Sequence, residues 1–519
     1  MVAGAWAETL CCHTLIMASQ GGDNPRMPIL RKIHLAFVTG LLAPALVFAA
    51  PQAQPGDVGL RHDIQVLADY GAISGPVTTW PISWDAVLMD LERIKVEDVV
   101  LPNAVLPTFE RLLARAKRET GNGQHSFVGH VSAAQEPAQI RGFSNTPRER
   151  GEIGAGYSWF SDRLSLDLNV AYVDKPVDGE EVRADGSQIG VNLGNWTVAA
   201  STMNRWWGPG WDGSLILSNN ARPIPALTIG RNRTHAFESK WLSWIGPWDL
   251  NVMFGQLEKE RAVPNAQLFG LRFNFRPLKS LEIGISRTAQ WCGDDRPCDF
   301  DTFLDMLFGK DNRGDDGTTP DNEPGNQLAG FDVRWTNFWF GSPVSLYAQA
   351  IGEDEAGGFP SRYMGQFGIE GSGITRGQYS YRWFAEVAGT SCDVVKSTVL
   401  YGCAYRHLIY QSGYNYRGRI VGHGLDNDAL VVSAGVVVVN TEGNTWQVLG
   451  RMGDLNLDGA NPTHSVAIFP QEMASVDIQH SRRTRIGQFV IGLGFEQRED
   501  MATGVTTGDA RGFLRWTSR

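Results

Sequence analysis

Two periods divide the chain. From Val58 to about Glu119, apolar residues recur at helical spacing. Leu60, Ile64, Leu67 and Ala68 form one set, Val87, Leu88 and Leu91 a second, and Phe109, Leu112, Leu113 and Ala116 a third. Gly71, Gly75-Pro76 and Pro81 separate the first two sets, and Pro102 and Pro107 flank the start of the third. The pattern predicts three short helices, a core of about 60 residues that is marginal alone and leans on the rest of the chain. From about His125 the period becomes two. Leu164, Leu166, Leu168, Val170 and Tyr172 alternate with Ser165, Asp167, Asn169 and Ala171. Phe269, Leu271, Phe273 and Phe275 alternate with Gly270, Arg272, Asn274 and Arg276. Leu281 to Ile285, Phe331 to Trp335 and Phe489 to Phe495 repeat the pattern. In a strand, each such set lies on one face.

Alternation alone fits a soluble sandwich as well as a membrane barrel. Strand length and turn length separate them. Several strands run about nine or ten residues, the length a tilted strand needs to cross a bilayer. Asp167, Arg272, Arg276, Glu282, Asp332 and Arg334 stand inside strands, as lumen-facing residues do. Phe160–Arg163, Arg276–Ser280 and Thr441–Asn444 read as tight turns, whereas Cys292–Asn326, Gly352–Gly377 and Gly389–Cys403 read as long connections. Tight turns at one end and long loops at the other are the outer-membrane arrangement. Trp159, Trp241, Trp244, Trp248, Trp335, Tyr379, Tyr381 and Trp383 fall near strand ends, where interfacial aromatic girdles lie. The expected fold is mainly β: a large antiparallel transmembrane β-barrel of roughly 16 to 18 strands with a small N-terminal helical bundle.

Composition agrees. The chain has 59 glycines and 17 tryptophans, a mean hydropathy of −0.21, and no apolar run after Ala50 long enough for a spanning helix. A net charge of −10, with no long basic run, argues against nucleic acid or an anionic membrane surface as partner. Met27 to Lys32 is a short basic region, Ile33 to Phe48 is apolar, and Val47-Phe48-Ala49 has the small residues of a signal-peptidase site. The expected organisation is residues 1–26 from an upstream start, 27–49 as signal peptide, 50–120 as helical bundle and 121–519 as barrel. Export places the remaining cysteines in an oxidising compartment. Their spacing of six and eleven predicts Cys292–Cys298 and Cys392–Cys403 disulfides.

The densest chemistry lies between Asn204 and Pro225. Arg205, Trp206, Trp207, Trp211, Asp212, Asn219, Asn220 and Arg222 crowd around Gly208-Pro209-Gly210, which passes through neither helix nor regular strand. Flat aromatic faces beside amide, carboxylate and guanidinium groups suit sugar rings and their hydroxyls. The alternative is an interior wedge that packs the barrel. No G-x-S-x-G, H-E-x-x-H or phosphate loop occurs, and among the many carboxylates nothing singles out a glycosidase pair, so no catalytic residue, metal site or cofactor is expected. Asp454 to Gly459 has only the first half of a calcium loop, with Ser465 where the bidentate Glu belongs, and reads as a polar turn. Asp311 to Glu323 reads as a solvated acidic loop.

Three motifs carry a family resemblance: Arg205-Trp-Trp-Gly-Pro209, Leu217-Ser-Asn-Asn-Ala-Arg-Pro-Ile-Pro225 and Thr288-Ala-Gln-Trp-Cys292. They resemble the Wzi capsule-assembly proteins of bacterial outer membranes, over a stretch from about Leu60 to the C-terminus. The resemblance implies an outer-membrane barrel at the upper strand number, about 18, with the helical part on the periplasmic side. It also implies a lectin-like role, binding capsular or extracellular polysaccharide at the cell surface. The expected partners are that polysaccharide and outer-membrane lipid, with the chain a monomer. The alternatives are a porin or sugar-uptake channel, and an exported β-rich glycoside hydrolase.

Overall fold

The computed structural model describes residues 52–96, 101–121, 123, 125–161, 163–307, 325–356, 359–459 and 463–518. The upstream start and signal peptide (1–49) and the acidic loop 311–323 lie outside the described residues.

Eighteen strands of six or more residues close into one antiparallel barrel. They are β1 (His125–Ala134), β2 (Gly151–Phe160), β3 (Leu164–Asp174), β4 (Gln188–Leu193), β5 (Trp196–Ser201) and β6 (Ala226–Arg231). Next come β7 (Trp248–Gln256), β8 (Gln267–Leu278), β9 (Leu281–Trp291), β10 (Gly325–Trp339), β11 (Ser342–Ala356) and β12 (Phe359–Ile374). The ring ends with β13 (Ser380–Gly389), β14 (Leu430–Val439), β15 (Thr445–Leu455), β16 (Gln471–Thr484), β17 (Gly487–Asp500) and β18 (Thr506–Thr517). A two-residue strand, Val182–Arg183, pairs beside β3. Closure comes where β18 returns to β1, with Phe513 opposite Ala134 and Thr517 opposite His130.

The period-two sets point as their chemistry requires. Leu168, Ile491, Phe331 and Trp335 are exposed on the outer wall, while Arg272, Arg276, Asp332 and Arg334 are buried in the lumen. One expected loop is absent. Gly352–Gly377 is mostly strand, because β11 and β12 run 15 and 16 residues and stay paired out to Ala356 opposite Phe359. That is longer than the roughly 9–11 residues a bilayer needs, so the sheet continues beyond the membrane on the long-loop side. Gly365, Gly368, Gly371 and Gly373 occupy ladder positions in β12 and blank out the alternation a reader of the sequence looks for.

The N-terminal helices explain the lumen charges. Helix α1 (Val58–Asp69) starts where the Asp57 side chain accepts from Leu60 N at 2.9 Å, and it is followed by α2 (Trp84–Val96) and α3 (Leu106–Glu119). Its polar residues Arg61, His62, Asp63 and Gln65 are as buried as its leucines, since wall surrounds it on the sides a free bundle would show to water. Asp69 bonds Arg334 at 2.7 Å and Arg382 at 2.8 Å. Arg276 donates to the carbonyls of Ile73 and Gly75 at 3.0 and 3.2 Å, and Glu282 accepts from Val77 N and Thr78 N, each at 2.9 Å. Arg111 reaches Asn440 O, in the turn between β14 and β15, at 3.2 Å. All these wall groups lie near the tight-turn ends of their strands. The polar residues that alternate in β8 to β13 are thus the sockets that hold the N-terminal segment across that end of the lumen.

Candidate functional site

The 202–225 connection between β5 and β6 turns into the lumen. Trp206–Trp207 pairs antiparallel with Thr79–Trp80, and Gly208 N donates to Thr78 O at 3.0 Å. The Gly-Pro-Gly turn then presses on the wall: a Cβ at Gly208 would lie 2.7 Å from Gln349 Nε2, and one at Gly210 2.3 Å from Gln366 Nε2. At Gly210 the backbone carbonyl oxygen of Gly213, 2.4 Å from a Cβ, leaves room for glycine alone.

All eight predicted residues are gathered here, and all face inward. Trp207 O accepts from Gln349 Nε2 at 2.8 Å and from Ser214 Oγ at 2.5 Å. The Trp206 ring packs edge-on against Phe143. Trp211 donates its indole N–H to Glu370 at 2.7 Å, stacks on Phe384 at 5.5 Å between centroids, and has the Arg61 guanidinium 4.2 Å from its own ring centre. The backbone amides of Trp211 and Asp212 both donate to Glu386. The Asp212 carboxylate is forked by Arg451, with contacts of 2.7, 2.9 and 3.0 Å. Arg205 donates to Met203 O at 3.1 Å, Asn219 to Phe143 O at 2.9 Å and Asn220 to Ile420 O at 3.0 Å. Arg222 holds Asp185 at 2.9 Å and Asp178 at 2.6 Å. Even Arg222, the most open of the eight, exposes 12% of its side chain.

Three further segments meet on this cluster. From the N-terminal side, Arg61 donates to Pro209 O and Gly210 O at 2.7 and 2.8 Å and lies over Phe143 as well as Trp211. Phe143 belongs to the β1–β2 connection. The β13–β14 connection, residues 390–429, supplies Tyr405 and Tyr414, whose hydroxyls donate to Leu215 O and Ile216 O at 2.7 and 2.8 Å. It also supplies His423, so close to Gly213 that a Cβ there would lie 1.8 Å from the ring nitrogen. Burial pushes His423 down to about 4; Asp212 opposes that shift and Arg451 adds to it. Sequence reasoning missed these partners. The one signal it had was the run of tyrosines at 401, 405, 410, 414 and 416 beside a cysteine.

Both cysteine pairs are disulfides, with Cα–Cα distances of 4.6 Å for Cys292–Cys298 and 5.9 Å for Cys392–Cys403. The second ties the base of the 390–429 loop. The Asp454–Gly459 turn is held by the Asn456 amide, which donates to Ala467 O at 2.9 Å and Ile468 O at 3.2 Å. Among the described residues no group of three or more His, Cys, Asp or Glu is placed to hold a metal ion. The two central carboxylates are taken up structurally: Glu370 bonds Arg334, Arg382 and Trp211, and Glu386 also accepts from Tyr347 at 2.6 Å.

The family described as capsule assembly protein Wzi matches residues 120–505. A 55.8 kDa protein of the cps region of Klebsiella pneumoniae is 33% identical over 381 residues, 72% of each chain. Among solved structures, the chain is similar to Wzi of Escherichia coli, described as an outer-membrane protein involved in group 1 capsule assembly and a carbohydrate-binding β-barrel. That likeness has a TM-score of 0.78 and 25% identity, and covers 90% of this chain and 99% of that one.

Proposed function

The chain belongs to the Wzi family of capsule-assembly proteins, is an outer-membrane barrel, and on that premise we propose that it holds capsular or extracellular polysaccharide on the cell surface. In this reading it is a lectin-like monomer in outer-membrane lipid and performs no catalysis. The observation that carries the reading is the use of the lumen. Helices α1 to α3 lie across one end, 204–225 fills the middle, and 390–429 packs on it from the other side. A barrel that gives its interior to packed polypeptide suits holding a polymer better than passing a solute. The Arg205–Arg222 cluster is then the frame that sets the shape of the outer loops, and its influence on glycan is exerted through them. The commitment of Glu370 and Glu386 to internal bonds speaks against a glycosidase pair, which needs one free acid and one free base.

Two measurements test this together. Cells lacking the chain should release capsule into the medium, and re-expression should restore cell-bound capsule. Purified protein in planar bilayers should show no steady conductance. Unchanged cell-bound capsule, or a steady channel current, would overturn the reading in favour of transport, and release of reducing sugar from the polymer would overturn it in favour of hydrolysis.

A further inference from the structure

The lumen is filled unevenly. On β8 to β13 the lumen-facing Arg272, Gln349, Gln366, Glu370 and Arg382 are at most 1% exposed. On β16 and β18 the equivalent positions are more open: Asp477 exposes 30% of its side chain and Gln479 and Phe513 are half-buried, while Arg511 exposes 12%.

Glycines account for the space. Gly154 and Gly156 of β2, and Gly492 and Gly494 of β17, face the lumen, and on one side each has a ladder partner whose side chain lies against it: His130, Asn169, Phe513 and Arg511 respectively; Gly494 has Asp477 on the other side, with Oδ1 2.3 Å from a Cβ placed there. A Cβ at these glycines would lie 2.4 Å from the His130 ring, 2.3 Å from the Asn169 amide, 2.1 Å from the Phe513 ring and 2.7 Å from Arg511 Nε. The partner side chains therefore lie flat along the wall in the space the glycines leave, rather than reaching across the lumen. Aromatic rings laid over cross-strand glycines are a known way to fill such gaps. Here the result is a wall surfaced with planar groups.

Between that wall and the β1–β2 connection is a narrow cavity of about 50 Å³. Phe513 and Ile140 give it apolar surface, and Gln447, Asp477, Gln479 and Arg511 give it hydrogen-bonding groups. Its charges are already matched, since Arg511 pairs with Asp477 at 2.8 Å and with Glu496 at 2.9 Å. Nothing there calls for an anion. Above it on the same face of β18, Asp509 and Thr507 are exposed, so the furrow continues up to the long-loop rim. An apolar ring face beside convergent amide, carboxylate and guanidinium groups is what a neutral sugar needs.

We propose that this furrow is a saccharide subsite that takes a neutral sugar unit of the polymer, one ring face on Phe513 and its hydroxyls bonded to Asp477, Gln479 and Arg511. The proposal rests on the polysaccharide-binding reading above and adds the place and the chemistry. The test uses folded full-length protein in detergent, with capsular polysaccharide purified from its own host as probe. Phe513→Ala removes the platform, and Gly494→Val crowds the furrow and displaces both Asp477 and Arg511. Each should bind the probe at least about tenfold more weakly than wild type, the scale of losing one central contact. A Gln479→Cys variant covers the case in which those changes impair folding: its labelling by a small methanethiosulfonate should slow several-fold when the polysaccharide is present. Undiminished binding by folded furrow variants, or labelling that the polysaccharide leaves unchanged, overturns the furrow alone. Absence of binding by wild type overturns the polysaccharide reading itself.

Discussion

Asp212→Ala separates a binding surface from a structural frame. Asp212 and Arg451 each expose only 3% of their side chains, and three contacts between 2.7 and 3.0 Å join them. Removing one partner of a buried ion pair typically costs about 3–5 kcal/mol, because the survivor is left charged in a poor dielectric. Arg451 keeps a second carboxylate, Asp477, at 3.0 Å, and that side chain is 30% open to water. The cost should therefore fall to about 2–4 kcal/mol. The assay is the urea midpoint of the folded barrel in lipid vesicles, read beside the temperature at which its compact gel band disappears. Both should fall in Asp212→Ala, and polysaccharide binding per folded molecule should fall less. Unchanged stability with binding abolished would refute this reasoning and make Asp212 a direct glycan contact.

Three other outcomes follow from the same geometry. Leu168→Arg puts a charge on the lipid face and should cost about 2–4 kcal/mol in folded yield; sequence alternation alone suggests that Arg272→Gln is much milder, but Arg272 is fully buried and forks Asp332 at 2.6 and 3.0 Å, so its loss should cost about 3–5 kcal/mol, and vesicle refolding of both variants checks this. Cys403→Ser opens the eleven-residue Cys392–Cys403 loop and should lower stability by about 2–3 kcal/mol, seen as faster proteolysis within 390–429. His423 is held at about 4 when folded against about 6.5 when unfolded, so the unfolded chain takes the proton first. Its contribution is complete above pH 6.5 and is lost as pH falls toward 4, on the order of 3 kcal/mol, and His423→Gln should flatten that part of the urea-midpoint profile.

The wall was legible and the plug was not, for a physical reason. Lipid outside and polar groups inside impose a strict alternation, and Leu271-Arg272-Phe273 displays it openly. Where glycine takes ladder positions, as in β12, the period disappears from sequence while the pairing persists. The lumen contacts join residues far apart in sequence: Asp69 with Arg382, Asp212 with Arg451, Tyr414 with Ile216. No local pattern encodes such pairs. The stretch 204–225 could be recognised as unusual from its composition. That its tryptophans face inward follows only from what surrounds them: Gln349, Glu370 and Glu386 on the wall, and Arg61 from the helices. The same three tryptophans in an open loop would have offered their faces to solvent.

The most direct test of the central claim is equilibrium binding of the host's own capsular polysaccharide to the folded barrel in vesicles. The account predicts saturable binding that disappears when the same protein is heat-unfolded. Failure of the folded barrel to bind, or equal binding by folded and unfolded protein, would contradict it.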